Sequence, residues 1–159
     1  MFREIRKKKN ELSAESAEAL LSSERRGVLA VNGDGGYPYA IPVNYLYCAG
    51  EGKIYFHGSR AGHKADSLQR SDKVCFTVYG AESVREEPWA PFVRSAVVFG
   101  RCRRVEDPER AMELLKRFAR KYYPSEELVE REAASPAGSA AAMFEIEIEH
   151  ISCKEVQEK

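Results

Sequence analysis

The sequence predicts a mainly β protein: a small antiparallel barrel with helices on its outside. Three observations point there. Short runs rich in β-branched and aromatic residues recur through the first hundred residues, separated by hairpin-type turns. No regular alternation of strands and helices appears, which argues against a doubly wound parallel sheet. The strongest helical pattern comes only after residue 106, outside the strand-rich region. About six strands and three or four short helices are expected, a count suited to a closed antiparallel sheet.

Each element follows from local chemistry. Ser13 is an N-cap with Glu15 and Glu18 in the next turns, so 14–22 reads as a helix. "GVLAV" (27–31) is an apolar β-branched run, "NGDGG" is a turn, and "YPYAIPVNYLY" (37–47) resumes as a strand. Pro42 cannot donate to a ladder, so this strand lies at an edge or carries a bulge, leaving nearby backbone groups for a ligand. "GEG" (50–52) turns into the strand "KIYFH", and "HKADSLQR" (63–70) is a short helix. "KVCFTVYG" (73–80) alternates as a strand, 81–92 reads as a loop around Trp89, and 93–106 is a long strand.

Asp107-Pro108 opens a helix, with Ala111, Leu114, Leu115, Phe118 and Tyr122 on one face. A second short helix follows Ser125. "AASPAGSAAA" (133–142) reads as loop, and "MFEIEIEHI" (143–151) as a strictly alternating strand.

Composition narrows the function. The 159 residues are read as one domain, with residues 1–12 expected to form a flexible arm and Arg6–Lys9 a solvated basic run. Lys plus Arg and Asp plus Glu both number 25, so no charge excess draws the chain to nucleic acid or to an anionic membrane. Four dispersed cysteines without a CxxC pair, and no signal peptide or membrane-length apolar run, fit a cytoplasmic protein. His57, His63, His150 and Cys153 match no zinc spacing, and no metal site is expected.

The stretch "YFHGSRAGHKADSL" (55–68) carries the chemistry. Gly58 and Gly62 admit a close ligand, Ser59 offers a hydroxyl, Arg60 and Lys64 offer charge, and the helix after Gly62 points free N–H groups into the loop. This suits a phosphate. It is neither a Walker loop nor a GxGxxG fingerprint, and a solvated turn has the same composition.

"YPYAIPVNYLY", "KIYFHGSRAGHKADSL", "RSAVVFG" and the ending "IEIEHISCKE", in that order, resemble the pyridoxamine 5'-phosphate oxidase-like FMN-binding split barrels, most closely the branch that contains the nitroimidazole-resistance proteins. The resemblance runs from about Arg26 to Glu155. It implies a six-stranded Greek-key barrel, a homodimer with FMN in the groove between subunits, and oxidoreductase activity toward a small acceptor such as a nitroaromatic. Related barrels hold heme or the deazaflavin F420, or bind flavin without turnover, so a non-catalytic carrier is the alternative. A pyridoxamine phosphate oxidase proper is disfavoured, because no second basic cluster suits that substrate.

Residue by residue, the resemblance places Pro42, Val43, Asn44 and Tyr45 along the flavin ring, although Val43 also reads as core and Tyr45 as an ordinary strand aromatic. Ser59, His63 and Lys64 would hold the phosphate, with Arg60 of second rank, and Phe56 and His57 belong to the cofactor-binding set. His63 stands where relatives carry a fixed charge, which implies FMN affinity that weakens as pH rises. His57 either serves the substrate near the flavin's reactive face as a proton donor or is satisfied by a carbonyl. His57 and Tyr45, with Trp89, would line the open position over the ring. Ser95 in "RSAVVFG" matches a flavin-reaching position, with Arg94 facing the other way. Trp89 reaches the partner's flavin site or packs the dimer interface. Cys153 replaces a glycine of the family's ending, which would strain a turn there and puts any role of Lys154 in doubt.

Overall fold

A computed structural model describes residues 1–85 and 90–158. Among these residues it has seven strands in one antiparallel sheet: β1 (Arg26–Asn32), β2 (Pro38–Asn44), β3 (Leu46–Cys48), β4 (Lys53–Gly58), β5 (Lys73–Ser83), β6 (Phe92–Arg104) and β7 (Ala142–Gln157), in the order β2-β1-β5-β6-β7-β4-β3. The helices are α1 (Ala14–Ser23), α2 (His63–Arg70), α3 (Pro108–Tyr122), α4 (Glu126–Ala133) and α5 (Pro136–Ala140).

The order and the connectivity together require a barrel. Only Tyr45 separates β2 from β3, and two peptide units span at most about 7 Å. In a flat sheet the outermost of seven strands would lie roughly 29 Å apart, at about 4.8 Å per strand. The sheet therefore curls until its two edges nearly meet, and the split lies at the single residue between them. This accounts for seven strands where six were expected: 37–47 is two strands, one at each edge.

Alternation fills the interior. Gly27, Leu29 and Val31 of β1, and Val74, Phe76 and Val78 of β5, point inward and are buried. α1 sits over the β5, β6 and β7 strands and adds Leu20 and Leu21 to the same core. Its cap is the expected one, with Ser16 N–H donating to Ser13 Oγ at 3.3 Å. Outside the barrel, α3 lays Leu114, Leu115 and Phe118 on Tyr55 of β4 and Met143 of β7.

Two readings need correction. Residues 133–142 are not loop throughout: Ser135 caps α5, accepting Gly138 N–H at 3.0 Å, with Pro136 in the first turn. A Ser-Pro pair opening a helix is the recognisable signal that the small residues obscured. The chain makes no turn at Cys153 either. β7 continues to Gln157, Cys153 is buried among core residues, and Ala81 is the one described non-glycine residue with positive φ. An extended backbone accepts any side chain, so the loss of glycine there costs nothing.

Candidate functional site

β4 is packed on both faces. Phe56 points into the barrel and stacks on Phe144, with ring centroids 5.1 Å apart. Tyr55 points the other way, into the α3 contact. His57 follows on that outer side, with one edge open to solvent and its ring edge-on to Phe118 at 4.8 Å. This partial burial, and then the charge of Lys64, pushes its pKa below the usual histidine value.

After Gly58 the chain leaves the sheet through an exposed loop. Ser59 Oγ accepts Ala61 N–H at 3.2 Å, and Arg60 donates to the Ser139 carbonyl at 3.2 Å, tying the loop to α5. Gly62 then caps α2 with φ 107°, a left-handed value that suits glycine, and with no side chain on the first-turn N–H groups. Those groups and the helix dipole are open to an anion.

Lys64 completes the arrangement. Its Nζ lies 5.2 Å from the Phe56 centroid and 5.7 Å from that of Phe144, tucked beneath Gly58, where a Cβ would sit 2.5 Å from Nζ. Among the described residues no carboxylate pairs with it and no oxygen accepts from it, and its Nζ keeps contact with solvent. Burial lowers its pKa below the ordinary lysine value. A half-buried ammonium without a partner, next to an uncapped helix start, fits a phosphate: the ligand would supply the missing counter-charge. Phe56 is the floor beneath this amine rather than a ligand-facing ring, because it is fully buried.

His63 leaves the cluster. Its ring stacks on Tyr39 at 4.0 Å, and Nε2 lies 3.5 Å from Asp34 Oδ2. A charge on His63 is therefore met by Asp34, so Lys64 is the group whose charge a ligand beneath Gly58 would feel.

The β2 edge is organised differently. Pro42 lies opposite Val28 on the free edge strand and faces outward, Val43 packs against the core, and Asn44 is exposed. Tyr45 cannot line an open position: it is 0% exposed, its hydroxyl donates to the Leu21 carbonyl at 2.6 Å, and its ring meets Phe76 edge-on. Nor is the backbone at this break free. Tyr45 N–H donates to Tyr122 Oη at 2.8 Å, and that hydroxyl shares its own proton between the Arg25 and Tyr45 carbonyls. Lys121 Nζ donates to the Glu24 carbonyl at 2.6 Å and to that of Tyr45 at 3.1 Å. Burial, and then Arg25, lowers the Lys121 pKa to about 8. Sequence reasoning missed this clamp because its partners are far apart along the chain.

Ser95 is remote from Lys64 within one chain. It pairs with Tyr79 and Lys154, toward the far end of β7 from Phe144. Arg94 faces away from it and pairs with Glu155 at 3.0 Å. Between these regions the outer face carries a feature the sequence did not reveal. Pro42, Val28, Thr77, Val97 and Ser152 are successive cross-strand neighbours, and so are Ala40, Ala30, Cys75, Phe99 and His150. Two adjacent rows across five strands thus hold no charge, apart from any proton on His150. Phe2 stacks on Phe99 and His150 at their end.

No group of three His, Cys, Asp or Glu is placed for a metal among the described residues, and the three histidines stand on separate aromatic partners. No described helix is long and apolar enough to cross a membrane. Trp89 lies outside the described residues.

A family model for pyridoxamine 5'-phosphate oxidase matches residues 13–155. The chain belongs to that family. Solved structures share the fold. A candidate 5-nitroimidazole antibiotic resistance protein from Bacteroides thetaiotaomicron superposes with TM-score 0.73 at 20% identity, covering 91% of this chain and 86% of its own. A flavocytochrome from Azotobacter vinelandii gives TM-score 0.77 at 21% identity, covering 98% and 73%. An FAD-binding protein from Mesorhizobium loti gives 0.64 at 23% identity, covering 92% and 97%. No curated protein matches the chain.

Proposed function

We propose that this member of the pyridoxamine 5'-phosphate oxidase family is a homodimeric FMN flavoprotein that reduces a small acceptor, a nitroaromatic being the class suggested by its resistance-protein neighbour. The observation that carries the reading is Lys64: a half-buried, unpaired amine beneath Gly58, at an uncapped helix start. Two structural neighbours named for flavin support it.

In this reading Lys64, Ser59 and the first-turn N–H groups of α2 hold the phosphate, while Arg60 guards the loop mouth. Pro42, Val43 and Asn44 offer edge-strand backbone to the ring. His57 stands on the Lys64 side of the site, and its lowered pKa keeps it mostly neutral at physiological pH, able to donate one N–H to a substrate. When bound, FMN would supply the redox chemistry between a reductant such as NAD(P)H and the acceptor. Ser95 lies too far along β6 to share a ligand with Lys64 of its own chain, so the second copy completes the groove. The uncharged rows around Val28, Thr77 and Val97 are the face on which that copy sits.

The test is the absorbance spectrum of purified protein, followed by that of its heat-released supernatant. A two-band flavin spectrum, with FMN released, is expected. Colourless protein that takes up no added FMN would sink the flavin reading, and a Soret band would replace it with heme.

A further inference from the structure

Residues 1–12 lie against the sheet rather than trailing in solvent. Leu12 N–H donates to the Cys153 carbonyl at 2.9 Å, a bridge pairs Glu11 with Lys154, and Leu12 packs on the core. Asn10 N–H and Glu11 N–H then close a turn on the Lys7 and Lys8 carbonyls, at 2.9 and 3.0 Å, and Lys8 pairs with both Glu4 and Glu11. From this turn the chain runs over the outer face of β6 and β7. Ile5, Lys7 and Asn10 stand across a hollow from Ser95, Val97 and Ser152. At the tip the Phe2 ring lies on Phe99 and His150, with centroids at 5.4 and 4.8 Å and nearly parallel planes.

This path crosses the face proposed for the second copy. Val97 and Ser152 end one uncharged row, and Phe99 and His150 end the other. One surface cannot hold the arm and a second chain together, so the two compete for the β6–β7 end of both rows and for access to Ser95. The arm's attachment is uneven. Its hinge at Glu11 and Leu12 is bonded to β7, whereas among the described residues no hydrogen bond or ion pair joins residues 1–10 to the sheet. Those ten residues are held by packing, and Phe2 keeps 40% of its surface exposed. A segment fixed at one end and only packed along the rest can lift without unfolding the barrel.

We propose that the arm is an autoinhibitory strap: it closes over the subunit face of a lone chain and must lift, pivoting at Glu11 and Leu12, before a second copy can dock. The inference rests on the homodimer reading given under the proposed function. Only the open fraction of each chain is competent to associate, so the closed strap weakens dimer formation, and two straps must lift for each dimer formed. Because the flavin groove is completed by the second copy, the strap regulates cofactor binding through assembly.

Sedimentation equilibrium of the full apo chain tests it, comparing the parent with Phe2→Ser and, separately, Ile5→Ser. Neither position belongs to the core, so both variants should melt with the parent. Phe2→Ser should tighten the dimer roughly fivefold or more, because losing a part-buried ring opens the strap on both chains, and Ile5→Ser should act in the same direction. Trypsin supplies a second reading at the basic run Arg6–Lys9. Cleavage there in the parent should quicken as protein concentration is raised through the dimer constant, since docking displaces the arm. A dimer weakened by Phe2→Ser, or an arm better shielded from trypsin in the dimer, would make the arm part of the interface and overturn the strap. A parent dimer unmoved by either variant also rejects the strap and leaves the homodimer standing. A chain that stays monomeric in parent and variants alike, at every concentration, rejects the homodimer and the strap together.

Discussion

Two lysines in this barrel sit in nearly the same aromatic setting and have opposite fates. Lys121 lies 4.0 Å from the Tyr45 ring centroid and donates to two carbonyls, joining α3 to the break between β2 and β3. Lys64 lies over Phe56 and Phe144 and has no acceptor among the described residues. Burial lowers the pKa of both. Lys121 is held by two backbone acceptors, whereas Lys64 has no protein acceptor and its Nζ still meets solvent, where a ligand oxygen would take the place of water. The difference separates a structural clamp from a candidate binding site more clearly than residue type or depth does.

The largest expected effect falls on the clamp side. Tyr45→Ala should cost about 3–5 kcal/mol in denaturant unfolding, because it removes a fully buried ring between Phe76 and α3. An intact unfolding midpoint combined with lost FMN binding would return Tyr45 to the ligand and undo the contrast. On the other side, Lys64→Met should weaken FMN by about 1.5–3 kcal/mol, roughly tenfold to a hundredfold, while the apo protein melts at or above the parent temperature. Apo destabilisation would reveal a hidden structural role.

Lys121→Met should destabilise by about 1–3 kcal/mol, because the Glu24 and Tyr45 carbonyls lose a donor. FMN affinity should not move. The smallest effect is the pH dependence. The Lys121 pKa is about 8 in the folded protein against 10.5 unfolded, so the unfolded chain binds the extra proton in that window. The charged amine therefore costs stability below pH 8, and the cost is released as pH rises toward 10.5. The melting difference between parent and Lys121→Met should shift in the parent's favour across that range. FMN affinity should fall on the alkaline side as Lys64 loses its proton, earlier than an ordinary lysine would. An FMN affinity that is lost in His63→Ala but holds in Lys64→Met would restore His63 to the phosphate.

Much of the fold was legible because its signals are local. Ser13 and Asp107 cap helices where their side chains predict it, and α2 spans the expected 63–70. Strand alternation marked which side of β5 and β7 is buried. The break at Tyr45 was not legible, since "YPYAIPVNYLY" has uninterrupted strand chemistry and only barrel closure bends it. The site was legible as a set of residue types but not as a geometry. His63 and Lys64 are neighbours on one helix, yet one reaches Asp34 and the other tucks beneath Gly58.

Sequence alone determined the barrel class, the loop proposed to hold a phosphate and the family resemblance that the matched model bears out, because caps, turns and period-two burial act over a few residues. Tertiary structure decided which lysine is clamped and which is left without a protein partner, and that Tyr45 is core. Those outcomes depend on which distant carbonyls, rings and charges the curled sheet brings together, and local chemistry carries no record of that.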